Sequence, residues 1–429
     1  MKRTYWLWTL LIATAALAPV GLRVLTWGKP ATHNEDIATI KSGEMLFNHE
    51  WKPNDPLANG GDGLGPVFNA KSCVACHFQG GVGGSGPVEF NVTTFTVRSG
   101  NTDNKPREGV IHAHAVAPQF KETMAMIAAS MPAISQPSLS QLVRLATSGG
   151  HCLAPSFPRG VHFSHRNTPP LFGVKLIDEI PDREIIANER MQQLKWGMAS
   201  ADSEEVPVGR ALRFANGRIG RFGWKGQTAS LADFVQAACA NELGLGNPGQ
   251  KQPQSLAQPD YRPPGLDLTL DQCNQITAFV ASLPRPVERI PIEEAARATA
   301  LAGKKLFTTI GCAECHTPNL GGVEGLYSDL LLHRMGQPLE GGGSYNDPPI
   351  PLPEGKPGDG PSPGEWRTPP LWGVADSAPY LHDGRAGTLE EAITLHGGQG
   401  KSASQKFAGL PPKDREQLVA FLKTLKAPK

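Results

Sequence analysis

Little of this chain is charged, and what is charged cancels. Of its 429 residues only 19% are Asp, Glu, Lys or Arg, with 41 basic against 40 acidic side chains and a net charge of +1 when histidine is neutral. Such a balance leaves no field to recruit nucleic acid or steer an acidic partner. The apolar run at the amino terminus, Tyr5 to Val20, is a little short for a comfortable membrane span. Also missing are the further Cys/His pairs at ligand spacing that paired structural zinc sites would need. Plentiful instead are glycine and proline, 48 and 39 residues, above ordinary usage. The hydrophobic content of 39% is still too high for wholesale disorder. Length and composition together describe a loop-rich globular chain of two or three domains.

Four of the seven cysteines fall into two matching strings, Cys73-Val-Ala-Cys76-His77 and Cys312-Ala-Glu-Cys315-His316. This spacing reads as c-type haem attachment, in which both thiols add to the haem vinyls and the adjacent histidine becomes the proximal iron ligand. The chain is therefore expected to carry two covalent haem c groups. Covalent haem assembly points to an exported protein, and the amino terminus agrees. Lys2 and Arg3 precede the apolar run, which closes on Ala16-Leu17-Ala18, a small-x-small cleavage pattern that Pro19 should hinder. Residues 1–28 are thus either a cleaved signal or an anchor that holds the chain to the inner membrane through residues 5–22. The periplasm is the expected location. Cys152, Cys239 and Cys273 are left over, an odd number with room for one disulfide whose pairing the sequence does not choose.

The two halves follow one plan. Helical segments over Glu35–Phe47 and Ile292–Phe307 each end in a Leu-Phe pair ahead of a haem motif. Amphipathic helices are expected over Thr269–Leu283 and Lys413–Leu425. Asn167-Thr-Pro-Pro-Leu-Phe-Gly-Val174 repeats as Arg367-Thr-Pro-Pro-Leu-Trp-Gly-Val374, and Trp224–Leu231 aligns with His382–Leu389. The expected fold is mainly α: two cytochrome c-like domains related by internal duplication, residues 29–286 and 287–429, with the boundary near Pro286. The first carries long loops and a large insertion at about 175–215. Gly80, Gly81, Gly83 and Gly84 open its longer excursion as a flexible loop.

What fills the sixth position of each iron separates electron transfer from chemistry at the metal. Thr388 and Glu391 form a capping box, and the helix they start ends near His396, just before Gly397-Gly398. His396 is the expected distal ligand of the second haem, against the plainer reading of a histidine interacting with a helix C-terminus. The equivalent position in the first half is Ala238. The first iron therefore stays open or takes a histidine from elsewhere: His162 or His165 first, His112 or His114 less readily. His333 and Met335 remain as supporting groups around the second haem, with Met335 a reserve ligand.

On Cys73–His77, Asn167–Asp178, Gly220–Gly244, Tyr327–Gly336, Arg367–Gly398 and the closing helix, the chain resembles the bacterial di-haem cytochrome c peroxidase superfamily. Within it the chain is most similar to the di-haem oxidoreductase family. That resemblance implies hydrogen peroxide reduction at the first haem, with electrons relayed through the second from a periplasmic small cytochrome or cupredoxin, in a chain that pairs as a homodimer. It implies Trp224 between the haems, Glu242 as acid/base over the first iron and His162 as a ligand that leaves on activation. It also implies a calcium ion held by Asn167 and the backbone oxygens of Ser377 and Pro379. His382 and Arg385 would support the second haem, Arg385 through its propionates. His396 departs from the pattern, since the peroxidases place methionine there and the methylamine-dehydrogenase maturation enzyme tyrosine. A second imidazole leaves a haem at lower potential than a thioether does, which weakens peroxidase as the physiological activity. Two alternatives stay open: an electron-transfer cytochrome with no substrate, and an oxidase of a protein or small molecule through high-valent iron.

Overall fold

Glycine sets the two closest helix crossings. A computed structural model describes residues 33–97, 107–122, 161–197, 205–255, 258, 260–342 and 360–428. Its helices are, in chain order, α1 (His33–Asn48), α2 (Val174–Glu179), α3 (Asp182–Trp196), α4 (Leu231–Leu243), α5 (Leu270–Ser282), α6 (Glu294–Thr309), α7 (Leu389–Thr394), α8 (Lys401–Ala408) and α9 (Pro412–Leu422). Helix α1 packs on α5, and α6 packs on α9. A Cβ on Gly43 would lie 1.9 Å from the Gln275 carbonyl oxygen, and one on Gly303 would lie 1.8 Å from that of Gln417. Only a residue without a side chain lets the backbones come so close. Each glycine stands at the same spacing before its Leu-Phe pair, Gly43 before Leu46-Phe47 and Gly303 before Leu306-Phe307.

The helices begin where their caps are. Thr269 and Gln272 form a capping box at the start of α5, and Thr388 and Glu391 form one at α7. The Ser230 hydroxyl accepts from the Asp233 N–H to start α4. One core cluster gathers Leu46, Phe47, Trp51, Leu231, Val235 and Ile276, and draws in Leu326, Leu330, Leu331 and Trp372 from beyond Pro286. A smaller one collects Phe307, Tyr327, Leu389, Phe407, Leu418 and Phe421.

The excursion after the first haem motif holds a sheet that the sequence reading did not foresee. Strands β1 (Val92–Val97), β2 (Arg107–Ile111) and β3 (Val161–Arg166) are antiparallel with β1 in the middle. Apart from Val92 and Gly109 its buried positions are polar, Thr94, Thr96, Ser164 and Arg166, so no sustained apolar alternation marks these segments. A second pair, β4 (Leu332–Arg334) with β5 (Glu365–Arg367), is also antiparallel. Helix α3, inside the expected insertion, lies on the second haem motif: Gln192 donates to the Glu314 carbonyl at 3.0 Å, and Lys195 pairs with the Glu314 carboxylate at 2.6 Å.

Among the described residues no helix is long and apolar enough to cross a membrane. The leader at 1–28, its apolar stretch at 5–22 and Cys152 lie outside them. Cys239 and Cys273 are both buried free thiols.

Candidate functional site

Each Cys-x-x-Cys-His string leaves its histidine in the same state. His77 Nδ1 donates to the Gly84 carbonyl at 3.0 Å, and His316 Nδ1 donates to the Tyr327 carbonyl at 3.0 Å. With Nδ1 committed, Nε2 is the free ligating atom in both rings. Burial pushes both down to about 4, so both imidazoles are neutral, the form that binds metal. The Leu-Phe pairs have a purpose here, since Phe47 and Phe307 stand with ring centroids 6.4 Å from His77 and His316 respectively. The glycine loop expected to be flexible is instead hydrogen-bonded through: Gly83 N–H to His77 O at 2.9 Å, Gly81 N–H to Phe78 O at 3.1 Å. Its positive-φ glycines turn the Gly84 carbonyl back to the proximal ring.

A cavity of about 700 Å³, within the usual size of a ligand pocket, is lined by Cys312, Cys315, His316 and His396. His396 follows the C-terminus of α7, and its Nδ1 donates to the Ala392 carbonyl at 2.6 Å. The His316 and His396 ring centroids are 6.4 Å apart with planes at 61°. Two imidazoles sharing one metal at about 2.0 Å per bond, each ring centre about 1.1 Å behind its nitrogen, need about 6.3 Å. The residues present therefore fit a haem with two histidine ligands. Met335 lines the same cavity, and His333 sits beside it with Nε2 2.8 Å from Asp329 Oδ2 and Nδ1 3.5 Å from Cys315 Sγ.

Cys73, Cys76 and His77 line a second cavity of about 130 Å³, together with Ala238, Glu242 and Trp224. Its open space is below that of a usual ligand pocket, and the donor set, identical to the other motif's, carries the fit there. His77 is the one histidine among the described residues that line it. His112 Nε2 donates to the Asn241 carbonyl at 2.8 Å, His165 pairs with Thr93 Oγ1 at 3.3 Å, and His114 stands against Phe68. None of the three reaches the cavity wall. His162 pairs with Thr96 across β1 and β3, and its side chain lies outside the described part of the chain. Glu242 Oε2 accepts from Asn69 Nδ2 at 2.8 Å. Trp224 lines both cavities, its indole N–H fixed on the Asn167 carbonyl at 2.8 Å.

His382 lines the larger cavity and stacks on Trp366, with centroids 3.6 Å apart. Arg385 lines neither cavity: its Nε donates to Asp383 Oδ2 at 2.6 Å and its Nη1 to the Pro338 carbonyl. The structure thus does not bring Arg385 to where a propionate contact was expected. The cations that do line the cavities are Arg166 and Lys225 in the smaller and Arg221, Arg367 and Lys406 in the larger, and nothing in the local sequence distinguishes them from exposed basic residues. Asn167, Ser377 and Pro379 all line the larger cavity, yet they would supply only three of the six to eight oxygens calcium takes.

Residues 265–425 match the family model described as "Di-haem oxidoreductase, putative peroxidase". Over these residues the chain is similar to that family. The chain is also 34% identical over 168 residues to the methylamine utilization protein MauG of Methylorubrum extorquens, which is 35% of this chain. It spans 44% of the length of that curated relative. Among solved structures, hydrazine synthase of Kuenenia stuttgartiensis aligns over 61% of this chain and 73% of its own, at 18% identity and a TM-score of 0.33. A MauG-like protein associated with microbial copper homeostasis aligns over 58% and 90%, at 18% identity and a TM-score of 0.29. At these scores neither alignment carries an argument about this molecule.

Proposed function

We propose that this di-haem oxidoreductase reduces hydrogen peroxide at the Cys73–His77 haem with electrons passed from the Cys312–His316 haem. The observation that carries this reading is the asymmetry of the two cavities: His316 has His396 at two-ligand spacing, whereas His77 is the one histidine among the described residues lining its cavity, where Glu242 stands with it. A c-type haem supplies an iron that exchanges electrons and, where a coordination position is open, binds a small oxidant. The chain's own residues do the rest. Cys73, Cys76 and His77 hold one group, and Cys312, Cys315, His316 and His396 the other. Glu242, oriented by Asn69, moves a proton from the near to the far oxygen of the peroxide, the step a positioned carboxylate speeds by about 10²–10⁴-fold. Trp224, held on Asn167, fills the wall common to both cavities as the bridge for electrons.

The architecture read alongside this function is two mainly α, cytochrome c-like units at 29–286 and 287–429, related by duplication. The repeated Gly-x-x-Leu-Phe helix and the repeated histidine–carbonyl bond support it. The protein is read as periplasmic and fed by a small cytochrome or cupredoxin. A second reading, oxidation of a protein or small molecule, is favoured by His396, because a haem with two imidazoles is a poor acceptor from a high-potential donor.

The test is stopped-flow mixing of reduced protein with peroxide, with a spectrum at each step. The first haem should be high-spin, or become so on reduction, and should react. Glu242→Gln should slow that reaction about 10²–10⁴-fold while leaving both resting spectra unchanged. Two permanently low-spin haems with no peroxide reaction would make the chain an electron-transfer cytochrome instead.

A further inference from the structure

Two cations are buried in the wall of the smaller cavity with no carboxylate among the described residues in direct ion-pair contact. Arg166 is 7% exposed and Lys225 is 3% exposed, and both line the cavity of Cys73, Cys76 and His77. Arg166 donates to Ser164 Oγ, to the His165 carbonyl at 3.0 Å and to the Gly342 carbonyl at 2.8 Å. Lys225 donates to the carbonyls of Ser362 and Pro363 at 2.9 and 2.8 Å. Both stand over the Trp366 ring, Lys225 Nζ at 3.8 Å and Arg166 Cζ at 4.5 Å from its centroid. Among the described residues neither makes an ion pair, although Asp383, Glu108, Glu340 and Glu365 lie within electrostatic range.

Carbonyls and an indole face accept hydrogen bonds and soften a charge, but they do not neutralise it. A cation out of water is costly unless an anion meets it, and two side by side raise that cost through mutual repulsion. Burial accordingly pulls Arg166 down to about 9 and Lys225 well below its ordinary value. An anion on whatever fills the cavity they line would meet that charge directly. A haem attached at Cys73 and Cys76 carries two carboxylates of its own.

We propose that Arg166 and Lys225 bind the propionate carboxylates of the first haem, with Trp366 as the platform that holds both cations in place. This rests on the haem reading of Cys73–His77. It gives to these two residues, for the first haem, the kind of contact the sequence suggested for Arg385 at the second. Because His382 stacks on the same indole and lines the other cavity, the platform also ties the carboxylate site of one haem to the wall of the other.

Nearby positive charge disfavours the oxidised, more positive iron, so each cation raises the potential of the haem it serves. The experiment is a spectroelectrochemical titration of the purified holoprotein in which the two haems are resolved. Arg166→Gln and Lys225→Gln should each lower the potential of the first haem and leave that of the second within error, and Lys225→Arg should restore it. Redox-difference infrared spectra of the unsubstituted protein, which need no variant to fold, should show the propionate bands of ionised carboxylates only. First-haem potentials unmoved by either substitution, both haems shifted alike, or a protonated-carboxyl propionate band would overturn the assignment while leaving two haems in place. A covalent haem count below two would overturn the haem reading itself, and this proposal with it.

Discussion

His316 and His396 stand with ring centroids 6.4 Å apart and planes at 61°, each with its Nδ1 bonded to a backbone carbonyl and its Nε2 free. If the two rings share a haem iron, removing one of them should open it. His396→Ala is expected to turn the second haem from low-spin to high-spin, read in the optical spectra of both oxidation states. His396→Met should return it to six ligands at a higher potential, as thioether ligation does. An unchanged spectrum in the alanine variant rejects His396 as a ligand.

Trp224 lines both cavities and is held by one hydrogen bond to Asn167. Trp224→Phe keeps an aromatic ring but leaves the Asn167 carbonyl without its donor, at a cost of about 1–3 kcal/mol in stability. If the indole is the electronic bridge, transfer between the haems should slow by about tenfold or more, equivalent to about 1.4 kcal/mol of barrier. The spectra of the two haems should not change. A rate equal to that of the unsubstituted protein would reduce Trp224 to a packing residue.

Gly43 and Gly303 offer a test of packing in which the sign decides. At an open helix site glycine to alanine stabilises by about 1 kcal/mol. Here the new Cβ would meet the carbonyl oxygens of Gln275 and Gln417 at under 2 Å, so Gly43→Ala and Gly303→Ala should instead destabilise by about 1–3 kcal/mol. Denaturant titration distinguishes the two outcomes directly.

Asp267 is fully buried and accepts from the Gly63 and Gly246 N–H groups at 2.7 Å each. Burial, with Asp62 nearby, still raises it from 3.8 to about 6. A carboxyl raised on folding keeps its proton more tightly in the folded state. Its contribution to stability is therefore full below pH 3.8 and is lost as the pH climbs through about 6. Asp267→Asn should gain on the unsubstituted protein across that window in paired thermal melts. A difference that stays constant with pH would show that the group does not titrate there.

Much of this molecule was legible along the chain because its signals are local. The two Cys-x-x-Cys-His strings, the capping boxes at Thr269 and Thr388, and the end helices at 270–282 and 412–422 each depend on residues a few positions apart. The repeated Gly-x-x-Leu-Phe spacing was equally visible, and only its glycine went unread. The sheet of β1, β2 and β3 was hidden because its buried face is mostly polar, with Val92 the exception, so burial left no periodic apolar trace.

Charge and ligand placement are different in kind. Whether a basic residue is solvated, paired or buried depends on what distant segments bring to it. Arg385 stands three positions after His382 in sequence yet turns to Asp383, while Arg166 and Lys225, 59 positions apart, meet over Trp366. Residue types and short spacings determine which groups can bind a haem. Which of them surround a particular iron, and which charges are left for its carboxylates, follows from long-range packing, because a buried charge is defined by its neighbours in space and a ligand by its distance to the metal.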